Sequence, residues 1–226
     1  MAKYLVVGGS KGIGAAIVRL LLQNGHELIV FSRTNPENSC LEWHQIDVTT
    51  AISFPEIDNL DGLVYCPGSI NLKPLNRLSK DDILSDLNVN FLSAVKVFQH
   101  YLPVLKKSSI SSVVFFSTVA VSQGMPFHAS ISAAKAALEG FARSAAAELA
   151  PIVRVNVVAP SLTDTPLASA LLNTDAKKEN AANRHPLKRF GTADDIAQAA
   201  VYLLTEAKWT TGQVLHVDGG MSTLRV

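Results

Sequence analysis

Apolar positions along the chain fall into two alternating rhythms. Short runs stand at 3–7 (KYLVV), 27–31 (ELIVF), 41–46 (LEWHQI), 62–65 (GLVY), 112–116 (SVVFF), 152–158 (IVRVNVV) and 213–217 (QVLHV). Between them apolar residues recur at helical spacing: Ile13, Ala16, Ile17, Leu20 and Leu21 in 13–24, then a segment from Ser79 to Leu102, the Ala-rich 130–149, and Ile196, Ala199, Ala200, Leu203 and Leu204 after Thr192. The punctuation agrees. Gly8-Gly9 ends the first run, Gly25 follows the first helix, and Pro103 and Pro151 follow the next two. Ser79 with Asp82, and Thr192 with Asp195, have the spacing of capping boxes. Near-continuous apolar runs fit strands covered on both faces, as in a parallel sheet. The alternation predicts one α/β domain over 1–226, a doubly wound parallel sheet of about seven strands with helices on both faces. Residues 49–60 (TTAISFPEIDNL) are too short and proline-interrupted for a helix. They predict a loop or single turn and a less covered sheet face.

Ligands of such sheets sit beyond the C-terminal ends of the strands. That rule gathers Gly8–Gly14, Ser32–Arg33, Asp47, Cys66–Gly68, Thr118 and Pro160–Thr165 around one crevice. The first of these, Gly8-Gly9-Ser10-Lys11-Gly12-Ile13-Gly14, joins a strand to a helix. Its glycines permit a sharp turn, close approach to a pyrophosphate and tight helix packing, and the helix offers free N–H groups to phosphates. Nucleotide binding is the expected role, with a simple structural turn as the alternative.

Composition narrows the classes. Twenty Lys+Arg against 19 Asp+Glu leave a net charge of +1 without a block of like charge. That argues against a nucleic-acid groove or anionic membrane as the main partner. Two cysteines, Cys40 and Cys66, exclude a disulfide scaffold and a multi-cysteine metal site, so no metal is expected. No apolar run reaches the roughly 18 residues of a membrane span, and the N-terminus is too short in its apolar part for a signal peptide. A cytoplasmic protein acting on a small molecule is the expectation.

VGGSKGIG resembles the TGxxxGIG loop of the short-chain dehydrogenase/reductase family, and the resemblance runs along essentially the whole chain. Asp47-Val48 is similar to the family's adenine-contacting pair, and Asn90 in NVNFLSAV to its active-site asparagine. Lys135 in SAAKAALEGFARSAAAELA is similar to the lysine of YxxxK. RVNVVAPSLTDTP (154–166), PLKRFGTADDIAQAAVYLL (186–204) and TGQVLHVDGG (211–220) resemble its C-terminal segments. The resemblance implies a Rossmann-type fold, a nicotinamide cofactor, a homo-oligomer (tetramer or dimer), and a substrate-lid region over 166–191. The long helices would pair across an interface, with Phe91, Val95, Phe141 and Leu149 supplying apolar area. Cofactor contacts carried over are Gly8, Ser10, Lys11, Gly12, Ile13, Gly14, Ser32, Arg33, Asp47, Val48, Gly68, Lys135, Pro160, Leu162 and Thr165. The family's NAD members place an acid at the end of the second strand. Here Ser32 and Arg33 stand there, and Lys11 precedes Gly12. Two cations suited to a 2′-phosphate imply NADP(H).

The catalytic group departs from the family pattern. Four residues before Lys135 stands Ile131, not tyrosine, and thirteen further back stands Thr118 in place of serine. Threonine keeps a hydroxyl, but isoleucine has no proton to give. His128, seven residues before Lys135, shares a helical face with 131 and 135 if the helix starts early. It is the leading substitute donor. A loop-capping histidine is the alternative. Lys135 itself, and Ser130 or Ser132 through a relay, are the other candidates. Two functions stay open: an NADP(H)-dependent oxidoreductase with a non-tyrosine donor, which includes action on a carrier-borne acyl chain met by Lys188 and Arg189, and a nucleotide-binding sensor or inactive subunit. Residues 166–185 give only a substrate site that is not strongly charged.

Overall fold

The computed structural model describes residues 1–36 and 38–225. The apolar runs become strands β1 (Lys3–Val7), β2 (Glu27–Ser32), β3 (Glu42–Gln45), β4 (Gly62–Tyr65), β5 (Ser112–Phe116), β6 (Arg154–Pro160) and β9 (Val214–Val217). They form one seven-stranded sheet in the order β3-β2-β1-β4-β5-β6-β9. Every pairing in it is parallel. Two-residue strands β7 (Thr163–Asp164) and β8 (Gly191–Thr192) pair separately. Successive strand side chains point to opposite faces, so the sheet feeds two cores. Val6, Val30, Val64, Val114 and Val158 pack under α1 (Gly12–Gln23) and α6 (Ala193–Thr205). Leu5, Ile29, Leu63, Val113 and Val157 pack under α3 (Ser93–Leu105) and α4 (Ala129–Leu149). Strand order reverses between β1 and β4, and that switch point opens the crevice at their C-terminal ends. No helix among the described residues is long and apolar enough to cross a membrane.

Several sequence expectations need correction. The segment after Ser79 is not one helix ending at Leu102. It is α2 (Lys80–Leu87), a π-helical turn (Asn88–Leu92) and α3, which runs through Pro103 to Leu105. Proline removes the bond to the Gln99 carbonyl, but Gln99 is exposed to water, and burial of Leu105 favours continuation. β6 starts at Arg154 rather than 152. The Arg154 guanidinium donates to the carbonyls of Leu203, Leu204 and Ala207 and so caps the end of α6. Residues 49–60 hold no helix, as expected, yet the face is not bare. Phe54, Ile57 and Leu60 are buried there, with the Phe54 ring stacked on Phe31 at 6.3 Å. Of the four residues expected to offer interface area, Leu149 is buried in the core. Phe91 and Phe141 lie edge to face at 6.1 Å and pack against that core.

Candidate active site

The loop from β1 to α1 forms a cradle that only glycine fits at two points. Gly8 sits at φ 78° in the left-handed region, and a Cβ on Gly14 would lie 2.1 Å from the Gly8 carbonyl oxygen. α1 has no side-chain cap at Lys11 and no acid in its first turn. By contrast, α2, α6 and α5 (Asp175–Arg184) are capped by Ser79, Thr192 and Thr174. The N–H groups of Gly12, Ile13 and Gly14 at the start of α1 are therefore free of a side-chain cap and open to an anion. This cradle, with the groove below, fits a dinucleotide.

The groove has a volume of about 550 Å³ and runs from the loop past Ser32, Arg33, Asp47, Val48 and Gly68 to Thr165. Lys11 and Arg33 lie on it, and neither side chain makes a hydrogen bond or ion pair with a described residue. Asp47 accepts from the Thr49 hydroxyl at 2.6 Å and the Thr49 N–H at 3.0 Å. Those two bonds hold its carboxyl below the usual range, and Arg33 adds a smaller pull. Ser32 is buried and occupied: it donates to the Thr34 carbonyl at 2.8 Å and accepts from the Trp43 ring at 2.9 Å. Ser10 faces it across the mouth, accepting from Thr34 at 3.0 Å.

A second cavity of about 460 Å³ opens from the groove, sharing Ile13, Cys66, Gly68 and Thr165 with it. Thr118, His128, Ile131, Lys135, Pro160 and Leu162 all line it. His128 is the residue on which α4 begins, so 128, 131 and 135 do stand along one side of that helix. Its Nδ1 lies 2.7 Å from the Pro126 carbonyl. That contact places a proton on Nδ1 and leaves Nε2 as the exchanging atom. Phe127 before it holds φ 70°, a left-handed conformation costing on the order of 1–3 kcal/mol for a bulky residue. The Phe127 carbonyl accepts from Lys73 N–H at 3.1 Å, and the Lys73 ammonium meets Asp82, the capping-box acid of α2, at 2.6 Å. The histidine loop is thus tied to a helix end across the crevice.

Lys135 is buried, and its Nζ donates to the Phe116 carbonyl at 2.8 Å. Burial pulls its pKa down to about 8, while the Cys66 thiol opposes that shift slightly. Burial pushes that thiol up to about 12, so it is no nucleophile at neutral pH. Thr118 accepts from Ala120 N–H at 3.3 Å, and its hydroxyl proton has no acceptor among the described residues. Ile131 presents hydrocarbon. Ser132 donates to the Ala120 carbonyl at 2.8 Å, and Ser130 is buried without a partner. Neither lines the cavity. Tyr65 is buried with its hydroxyl on the Val89 carbonyl at 2.8 Å, which removes it from proton transfer.

Asn90 lies in the π-helical turn, a distortion common at functional positions. It donates to the Asp86 carbonyl at 2.9 Å and the Ser69 hydroxyl at 2.8 Å, and Ser69 in turn donates to the Asp86 carboxylate at 2.6 Å. A Cβ on Gly68 would sit 3.2 Å from Asn90 Oδ1 and 3.7 Å from Lys135 Nζ, so this glycine keeps the two side chains close. The Leu162 carbonyl accepts from Gly191 N–H at 3.0 Å, which ties the loop after β6 to β8. The Thr165 hydroxyl reaches the Thr163 carbonyl only at 3.4 Å.

Sequence reasoning missed the Asp86–Ser69 pair and the buried His185. The His185 Nε2 meets the Ser161 hydroxyl at 2.8 Å and its Nδ1 meets the Ala181 carbonyl at 2.7 Å, fastening α5 to the loop after β6. It also read Arg189 as free for an acidic partner. The Arg189 guanidinium instead forks onto Asp195 at 2.6 and 2.8 Å.

Residues 7–222 match the family model described as enoyl-(acyl carrier protein) reductase. The chain is 36% identical over 236 residues to the 3-oxoacyl-[acyl-carrier-protein] reductase of Bos taurus, covering 96% of each. It is 33% identical to carbonyl reductase family member 4 of Xenopus laevis, again over 96% of each. The ligand-free aldohexose dehydrogenase of Thermoplasma acidophilum superposes with a TM-score of 0.92 at 27% identity, over 99% of this chain and 95% of that one. With the glycine cradle and the lysine of α4 in one crevice, these similarities establish that the chain belongs to the short-chain dehydrogenase/reductase family of oxidoreductases.

Proposed function

We propose that the protein interconverts a carbonyl and an alcohol on a small or medium organic substrate with NADP(H), using His128 in place of the missing tyrosine. One observation carries this reading: His128, Lys135 and Thr118 line a single cavity that opens into the dinucleotide groove. When bound, the dinucleotide supplies or takes up the hydride. The chain's own residues do the rest. The glycine loop, from Gly8 through Ser10 and Gly12 to Gly14, holds the pyrophosphate with the N–H groups of α1. Asp47 and Val48 meet the adenine. Lys135 holds the nicotinamide ribose. Pro160, the Leu162 N–H and the Thr165 hydroxyl orient the carboxamide. Thr118 donates to the substrate oxygen, and His128 delivers the proton from Nε2, with Asn90 fixing the backbone and a water beside Lys135. NADPH consumption against a panel of ketones, aldehydes and acyl thioesters tests the reading. Tight NADPH binding with no turnover of any of them would favour a nucleotide-binding protein without redox chemistry, the reading to which Ile131 lends weight.

The cofactor preference rests on Lys11 and Arg33, which line the groove without ion-pair partners among the described residues. A 2′-phosphate gives them one. Losing a charge-assisted contact costs about 1.5–3 kcal/mol, or roughly ten- to over a hundredfold in dissociation constant. Arg33→Ala should weaken NADPH by that factor and barely move NADH in a fluorescence titration. Equal affinity of wild type for the two cofactors rejects the assignment. We also propose a homo-oligomer, tetramer or dimer. Leu92, about half exposed on the outer side of the helix pair, supplies apolar area there. Light scattering at micromolar concentration should give a multiple of 24.2 kDa, and a monomer refutes it.

A further inference from the structure

The substrate cavity is lopsided in charge, and composition hid this. Its walls are largely aliphatic: Ile70, Leu72, Ile131, Leu167 and Leu171 line it. One face of the lid helix α5 closes it, bringing in Lys177, Asn180, Ala181 and Arg184. Positions i, i+3, i+4 and i+7 form a single stripe on a helix. Residues 166–185 carry five charged side chains, Asp175, Lys177, Lys178, Glu179 and Arg184, and Lys177 and Arg184 lie on the face turned to the cavity, so the expectation of a site that is not strongly charged fails there. Lys177, Arg184 and the deeper Lys135 are cations on the lining, and no carboxylate lines it among the described residues.

No described carboxylate pairs with Lys177 or Arg184. The Lys177 ammonium rests on neutral oxygens, the Ala170 carbonyl and Asn173 Oδ1, each at 2.9 Å. The Arg184 guanidinium makes no hydrogen bond or ion pair with any described residue. The residue ends α5, where the helix dipole favours a cation. The ion pairs of the described residues involve neither side chain. A guanidinium held at the rim of an aliphatic cavity, with the helix anchored below by His185 and Ser161, is a ready partner for an anion.

We propose that the cavity takes carbonyl compounds whose far end carries an anion, a carboxylate or a phosphate, with Arg184 as its main partner and Lys177 assisting. This rests on the oxidoreductase reading for its chemistry: hydride from NADPH to the carbonyl carbon and a proton to its oxygen, giving the hydroxy acid and NADP⁺. Short and medium-chain oxo-carboxylates are compared with their methyl esters, and acetoacetyl-pantetheine with its 4′-phosphate, in wild type, Arg184→Gln and Arg184→Lys. The wild type should prefer the charged member of at least one pair by roughly tenfold or more in kcat/KM. The acid pair winning points to a free acid, and the phosphate pair winning to a pantetheine arm. Arg184→Gln should reduce the charged-to-neutral ratio by roughly ten- to a hundredfold, and Arg184→Lys should restore part of it. A structural loss would lower both members together and leave the ratio unmoved. Calorimetry of the matching hydroxy-carboxylates with the protein–NADP⁺ complex separates the two readings. Salt-sensitive binding that Arg184→Gln weakens, without turnover of any carbonyl, keeps the anion site and removes the redox reading. Turnover with no charge preference, or a ratio indifferent to Arg184→Gln, overturns the anion site alone.

Discussion

Replacing His128 by alanine should lower carbonyl reduction by about 10²–10⁴-fold, the usual worth of a positioned general acid, while NADPH affinity stays near wild type. The substitution is mild for the fold. The imidazole makes no capping bond to α4, and among the described residues its hydrogen bond is to the Pro126 carbonyl. The loss is therefore a loss of chemistry, read in kcat with a cofactor titration as control. pH supplies a second readout. Reduction needs the donor protonated, so its rate falls as pH rises through the donor's pKa, and alcohol oxidation shows the reverse. With His128 gone, Lys135 is the acid on the same side of α4, and burial holds its pKa at about 8. The descending limb of His128→Ala should then fall at about pH 8, away from its place in the wild type. An unchanged rate and an unchanged limb assign the proton to Lys135 in the wild type.

The vacancy that makes this test necessary is legible in the sequence by counting, because residue identity at a fixed helical offset needs no structure. The five inner strands β1, β2, β4, β5 and β6 are legible for a similar reason: both faces are buried, so consecutive positions are apolar, whereas the edge strands β3 and β9 are only partly covered. The elements that escaped are those whose outcome depends on contacts distant in sequence. Nothing local to Asn88–Leu92 signals a π-helical turn, since one extra residue in a turn leaves the apolar spacing nearly intact. Pro103 reads as a helix stop unless Leu105 is known to find a buried site. The start of β6 is set by Arg154 reaching the end of α6, some 50 residues onward. Among site residues, Asp86 looked like one more polar residue on a surface helix, yet it is buried against Ser69 and Asn90. Lys177 and Arg184 could have been found by reading 166–185 at helical spacing instead of by composition.

A tyrosine at 131 in the His128→Ala chain should recover at least about a hundredfold of the lost rate, within the range expected for general-acid help. Position 131 precedes Lys135 by four residues on α4, so the two side chains are neighbours with Cβ atoms about 5–6 Å apart. Ile131 is on the cavity wall and nearly buried. A larger ring there extends into a space of about 460 Å³ and avoids overpacking the core. The Lys135 cation beside it favours the phenolate and so lowers the pKa of the phenol toward the working range. Thr118 remains on the same wall to hold the substrate oxygen. Lys135→Met should therefore abolish the rescue. In the chain that keeps His128, the gain from Ile131→Tyr should be smaller, because one donor already serves. A folded, NADPH-binding double variant with no recovered activity means that the substrate oxygen does not face position 131, which removes the shared-face basis for His128 as donor. A large gain in an otherwise inactive wild-type background would instead assign the native chain to nucleotide binding without turnover.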